Sequence, residues 1–290
     1  MSILTTWTPH KTTKIAHLTI TRPKKLNSLT TPILTTLTST LHQISKTPNL
    51  LAITLTGAGP KSFIGGADLT ELSNLPDAAA ARKFITNVHE TCTAIRTCPV
   101  PVIARINGFA LGAGLEIAAA CDLRVAGRGS VFGMPEVRLG IPSVVEAALL
   151  PGLIGWGRTR QLLLLGGTIS ATEALTWGLV ERVVADEDLD GAVSEWVSEI
   201  GRNGPLAVRR QKALISRWEE LSLEGGIEAG VEAFGECFVA GEDGGTEPGR
   251  MMGDFFREKE EGKDKARIEA ENKDKGKGIG KGQGNEGLGL

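Results

Sequence analysis

Strand-length apolar runs alternate with helix-length periodic segments through the first half of this 290-residue chain, and that alternation limits it to an α/β core. Residues 15–20 set apolar side chains around His17 and Thr19 with the period of a strand. Residues 51–56 form a second run, stopped by Gly57-Ala58-Gly59-Pro60. Residues 100–106 form a third, whose start Pro101 makes irregular. Between these runs, 31–44 and 78–95 read as helices, the first with Pro32 tolerated in its opening turn. The later chain is helix-rich. Residues 143–153, 158–165, 189–200 and 205–218 are helix candidates, and Ser170 with Glu173 makes a capping-box pattern ahead of 174–177.

Length and composition narrow the function classes. A chain of this size can bury a substantial core, so one main domain with appendages is expected. The net charge of −2, the lack of tyrosine and the absence of a basic stripe with interleaved aromatics argue against a nucleic-acid partner. Cys92, Cys98, Cys121 and Cys237 show neither metal-ligand spacing nor a disulfide framework, and read as small buried thiols; no metal site is expected. His10, His17, His42 and His89 lie in no recognisable triad context, and no G-x-S-x-G elbow appears. No run of about 18 apolar residues suggests a membrane span, and no secretory signal pattern is present. The first acidic residue is Asp68, which gives the N-terminus the look of a transit peptide, but the strand beginning at Ile15 leaves little room for one. The final Leu288-Gly289-Leu290 does not match a peroxisomal signal of the S-K-L type. An intracellular protein of the cytoplasm or peroxisome is expected. Residues 257–290 are rich in Lys, Glu and Gly with almost no large apolar side chains; they are expected to be disordered, with a charged docking tail as the functional alternative.

Three segments carry chemistry. The first is Ser62-Phe63-Ile64-Gly65-Gly66-Ala67-Asp68-Leu69. The second runs from Asn107-Gly108-Phe109-Ala110-Leu111-Gly112-Ala113-Gly114-Leu115-Glu116 into an apolar stretch that ends at Cys121-Asp122. The third is Phe132-Gly133-Met134-Pro135-Glu136. They supply two glycine-marked backbone turns and two acids. Paired N–H donors can hold a carbonyl oxygen as it gains charge, and paired carboxyls can share proton transfers on a neighbouring carbon. The bland alternatives are a glycine-rich strand-to-helix turn, a helix-start carboxylate for Glu116, and a loop acid paired with Arg138 for Glu136.

These segments, with Thr21-Arg22-Pro23-Lys24-Lys25-Leu26-Asn27-Ser28-Leu29 upstream and 170–180 downstream, resemble the enoyl-CoA hydratase/isomerase (crotonase) superfamily from about residue 15 to 256. The resemblance implies a crotonase-like spiral of ββα turns over 15–200, after an N-terminal extension at 1–14. It implies a helical region over 201–256 that helps build a homotrimer or a dimer of trimers. It assigns the oxyanion-hole N–H groups to Ala67 and Ala113, and the catalytic acids to Glu116 and Glu136. Glu136 would supply the α proton during hydration while Glu116 activates water. Coenzyme A would be held near Lys24, Lys25, Leu26, Gly65 and Asp68, carried in by an acyl-CoA substrate and with no further cofactor. An isomerase that shifts a double bond, and a non-catalytic binding protein of this fold, are the competing readings. Retention of both acids favours the hydratase.

Three departures from the family pattern stand out. Ala113 occupies a position where glycine is common, and Thr70 stands where a lysine is expected. The stretch after Glu136 reads Gly140-Ile141-Pro142-Ser143-Val144-Val145-Glu146-Ala147 and is not glycine-rich; it resembles a narrower group of hydratases that includes fungal peroxisomal enzymes of secondary metabolism. Val144, Val145 and Glu146 are therefore expected around the acyl pocket, with a helix first-turn acid as the plainer reading of Glu146.

Overall fold

The computed structural model describes residues 2–241 and 244–278. The chain opens with β1 (Ile3–His10) and β2 (Thr13–Ile20), followed by α1 (Thr31–Ser45), β3 (Leu50–Gly57), β4 (Ser62–Ile64), α2 (Leu69–Ser73) and α3 (Ala78–Arg96). Next come β5 (Val102–Ile106), β6 (Phe109–Leu111), α4 (Ala113–Ala120), β7 (Leu123–Gly127), β8 (Val131–Gly133) and α5 (Leu150–Leu165). Then follow β9 (Thr168–Ser170), α6 (Ala171–Trp177), β10 (Arg182–Val184), α7 (Leu189–Ile200), α8 (Pro205–Trp218), α9 (Leu223–Glu236) and α10 (Glu247–Gly278).

Two sheets form, one ordered β1-β2-β3-β5-β7-β10 and the other β4-β6-β8-β9. The pairs β3/β4, β5/β6 and β7/β8 each give their first strand to the large sheet and their second to the small one. The result is the expected spiral of ββα turns. Its local causes are ordinary. In α1, Ile33, Leu34, Leu37, Leu41 and Ile44 recur at helical spacing and are all buried, each such side chain contributing about 1.5–3 kcal/mol. Asp77 caps α3 through the Ala80 N–H at 2.8 Å, and the Ser170–Glu173 capping box forms in full ahead of α6. Strand β3 is buried on both faces, as expected of a parallel central strand: Ile53 and Leu55 join the main core, while Leu51 and Ala52 join Val193 and Val197 of α7 in a second cluster. Lys212 of α8 is buried yet satisfied, donating to the Ile95 and Val100 carbonyls at 3.0 Å and to Asp122 at 2.6 Å.

Several boundaries differ from the sequence expectation. Residues 3–10 are the edge strand of the large sheet, paired antiparallel with β2, where an extension was expected. The helix expected over 143–153 is instead a 3-10 turn, Val145–Leu149, leading into α5, which kinks at Gly155 before the stretch expected as a separate helix. The chain divides into compact units Met1–Gly230 and Val231–Leu290. Within the second, disorder is expected from residue 257, but α10 continues to Gly278; Glu, Lys, Arg and Ala are strong helix formers, so a segment that buries little can still wind locally. The rest of that expected tail, 279–290, lies outside the described residues.

Candidate active site

The spiral brings the two glycine-marked turns side by side. Strand β4 ends at Gly65-Gly66-Ala67, and α4 starts at Ala113. Gly114, in the first turn of α4, makes the approach: a Cβ there would overlap the Ile64 carbonyl oxygen, so only glycine lets the helix lie against the end of β4. The Gly66 carbonyl accepts from the Leu29 N–H, and the Asp68 N–H donates to the Leu29 carbonyl, both at 2.8 Å. That bridge uses the backbone groups on either side of Ala67, which itself lines the pocket. The Ala113 N–H is the first of α4, where helix geometry offers no internal acceptor and the helix dipole adds partial positive charge.

Both acids line the same pocket, of about 810 Å³, together with Ala67 and Ala113. Glu116 projects from the first turn of α4 and is only 4% exposed. Its Oε1 accepts from the Ala147 N–H at 3.3 Å. Burial, then the negative charge of Glu136, pushes the Glu116 carboxyl up to about 8; the Ala147 N–H opposes the shift and Glu146 adds to it. Glu136 opens a 3-10 turn, Glu136–Leu139, and is half-buried. Its Oε1 lies where a Cβ on Gly112 would sit, and its Oε2 accepts from the Ser143 hydroxyl at 2.8 Å. Gly112 is held at φ 51° and ψ −125°, and its N–H donates to the Gly133 carbonyl at 2.9 Å. The second turn and the second acid therefore interlock. At neutral pH the Glu116 carboxyl of the ligand-free site therefore carries its proton.

Not every candidate residue reaches this pocket. Gly65 and Val144 line it. Lys24 and Lys25 are exposed in the 3-10 turn Pro23–Lys25, and Leu26 follows in a left-handed conformation with its carbonyl accepting from the Gly65 N–H at 2.8 Å. Asn27 ties this loop to the start of β4 through the Ala58 and Ser62 carbonyls at 3.0 and 2.8 Å. The basic residues thus stand on a loop fastened beside the first glycine turn. Asp68 is buried, caps α2 through the Glu71 N–H at 3.0 Å and pairs with Arg22 at 2.5 Å; that guanidinium holds its carboxyl below the usual range. Val145 packs against the core, and Glu146 is buried against His89 of α3, so neither is part of the pocket lining.

Sequence reasoning missed the direct bond from Ser143 to Glu136, whose only signal was a hydroxyl seven residues on. Ser143→Ala is expected to lower kcat by about tenfold or more with the fold unchanged, because a hydrogen bond to a charged group contributes about 1.5–3 kcal/mol. Steady-state kinetics beside a thermal melt checks this; unchanged kcat would show that Glu136 is oriented without Ser143.

The arrangement can polarise a carbonyl between two N–H groups and move protons on the adjacent carbons with two acids. Comparison with known proteins agrees with that chemistry. A family model described as enoyl-CoA hydratase/isomerase matches residues 10–248. The short-chain-enoyl-CoA hydratase of Clostridium acetobutylicum is 39% identical over 226 residues, which cover 78% of this chain and 86% of that protein. The crotonyl-CoA hydratase of Syntrophomonas wolfei is 38% identical over 230 residues, covering 79% and 88%. Among solved structures, an enoyl-CoA hydratase from Bacillus anthracis aligns with a TM-score of 0.76 at 35% identity, over 81% of this chain and 90% of its own.

Proposed function

The chain belongs to the enoyl-CoA hydratase/isomerase family, and from that premise we propose that it adds water reversibly across the double bond of a 2-enoyl-CoA thioester. The observation that carries this reading is the meeting of Glu116, Glu136 and the Ala67 and Ala113 turns in one pocket. The thioester oxygen would lie between the two N–H groups, which stabilise it as it takes on enolate charge. The proton resting on Glu116 first passes to Glu136 through the water held between the acids; that water then gives a proton to Glu116 and its oxygen to the β carbon, while Glu136 protonates the α carbon. The C=C π bond breaks, one C–O and one C–H bond form, and the pair ends the cycle with the one proton it began with, again on Glu116. A double-bond shift needs no water and no second acid, so the pair favours hydration over isomerisation.

Every step is proton transfer or C–O bond formation, so the reading invokes no cofactor beyond the coenzyme A of the substrate. Lys24 and Lys25 would meet its phosphates, with Leu26 and Gly65 bordering the pantetheine path; Asp68 would act there only by holding Arg22 and the start of α2. The exposed apolar side chains of the C-terminal unit, among them Val231, Phe234 and Phe238, suit burial in a homotrimer. No helix among the described residues is long and apolar enough to cross a membrane. The direct test is turnover of the purified chain against a panel of 2-enoyl-CoA and 3-hydroxyacyl-CoA thioesters; no interconversion of any pair would overturn the reading.

Ala113 adds a methyl group beside the oxyanion turn and Val144 adds volume to the pocket wall. A short or branched acyl chain is therefore expected to react faster than a long straight one, which agrees with the short-chain and crotonyl names of two relatives. One ill-fitting methylene costs about 1–3 kcal/mol, so the preference should be graded. Ranking kcat/KM for crotonyl-CoA, a branched enoyl-CoA and a long-chain enoyl-CoA checks it, and a long-chain preference would place these two side chains outside the acyl path.

A further inference from the structure

Behind the pocket wall lies a second set of polar groups that the chemistry above does not use. Glu146 is 4% exposed and sits in the 3-10 turn that precedes α5. Its Oε1 bonds to Nδ1 of His89 on α3 at 2.8 Å. Its Oε2 is buried with no hydrogen bond of ordinary geometry among the described residues, and the polar group that bears on this carboxyl from behind is the weakly donating Cys92 thiol. The residue before it, Val145, is held at φ 40°, in the left-handed region that a β-branched side chain avoids. The residue after it, Ala147, shares its N–H between the Val144 carbonyl at 2.9 Å and Oε1 of Glu116 at 3.3 Å. Strain of this kind persists only where surrounding contacts hold it, and it tends to gather at working sites. Here the contacts are the packing of Val145 on the core, the Ala147–Val144 turn bond, and the bond to His89, 57 residues away in sequence.

We propose that the His89–Glu146 pair positions Glu116, clamping the strained segment 144–147 to α3 so that the Ala147 N–H faces the Glu116 carboxyl. The inference rests on the hydratase reading of Glu116. At 3.3 Å the Ala147 bond is long, so a small movement of the segment removes it. Glu146 also acts through its charge. The titratable groups facing Glu116 are Glu136 across the pocket, and Glu146 and Cys92 behind it; those facing Glu146 are His89, Cys92 and Glu116. Among them Glu136 and Glu146 raise the proton affinity of Glu116, and the N–H groups of Ala147 and Val144 lower it.

These opposed effects make the test. The alkaline limb of kcat/KM reports loss of the proton held by the ligand-free acid pair, so it is set by Glu116 at about pH 8. Glu146→Gln keeps an oxygen for His89 and removes the charge, so the limb should move to lower pH. His89→Ala releases the clamp and withdraws the N–H donors, so the limb should move to higher pH and kcat should fall by about tenfold or more with KM little changed. His89→Gln, whose amide can still donate to Glu146, should recover most of that loss. The measurement is the pH profile of the three full-length variants beside Glu116→Gln. Limbs that stay at the wild-type pH, with activity lost only in proportion to folded protein, would overturn the clamp. If Glu116→Gln is inactive while the others match wild type, the positioning inference alone fails. If Glu116→Gln turns over normally, the underlying reading fails with it.

Discussion

Glu116→Gln and Glu136→Gln are each expected to lower kcat for 2-enoyl-CoA hydration by about 10²–10⁴-fold while leaving the circular dichroism of the chain intact. Both side chains line one pocket, and neither carries the packing of the fold. The two variants should differ in stability. The Glu116 carboxyl is raised from its ordinary 4.5 to about 8, chiefly by burial. A group whose folded value is raised binds its proton more tightly in the native state, so its favourable contribution is complete below about pH 4.5 and is lost as pH climbs through about 8. Glutamine escapes that loss. The stability of Glu116→Gln, followed through its melting temperature, should therefore gain on wild type from pH 5 to pH 9, by on the order of a few kcal/mol at the alkaline end. Near-wild-type turnover in either variant would remove the paired-acid mechanism. A flat difference in melting temperature across that range would mean that Glu116 is not a buried acid that pays to ionise.

Gly112→Ala is expected to be as damaging to turnover as loss of Glu136 itself. The backbone at φ 51° and ψ −125° excludes a side chain, and the added methyl would displace Oε1 of Glu136. A shift of about 1 Å at a catalytic group costs about 10²-fold, and the backbone strain adds about 1–3 kcal/mol of instability. Because the damage runs through Glu136, Gly112→Ala should cost much less turnover in a Glu136→Gln background than in wild type. Full additivity in that double-mutant cycle would show that the glycine and the acid work independently.

The contrast between what was legible and what was not follows the length of the signal. Strands β2, β3 and β5 and helices α1, α3, α7 and α8 each carry enough periodic apolar positions to be read, and the last two start and stop where expected. Of the small sheet only the short apolar strand ahead of Gly66 could be read, because β4, β6, β8 and β9 are three residues long and shorter than any periodic window. Strand β1 alternates threonine with few apolar residues, and its pairing is fixed by the turn at 10–13, where Lys11 adopts φ 52°. For the tail, composition measures how little it can bury, and says nothing against local winding of α10. At the site, the glycine-marked turns and the two acids stood out in the sequence, and their proposed roles came from the resemblance of their segments to the family. The bonds from Ser143 to Glu136 and from His89 to Glu146 could not be read, since the second joins positions that only the spiral brings together.

Isotopic labelling of the product tests the central claim most directly. The full chain, Glu116→Gln and Glu136→Gln would each be incubated with crotonyl-CoA in ¹⁸O-enriched water, and the products resolved by mass spectrometry. The account predicts a 3-hydroxybutyryl-CoA carrying one solvent oxygen from wild type and almost none from either variant. A product that has only shifted its double bond, with no oxygen taken from water, or equal labelling by all three proteins, would contradict it.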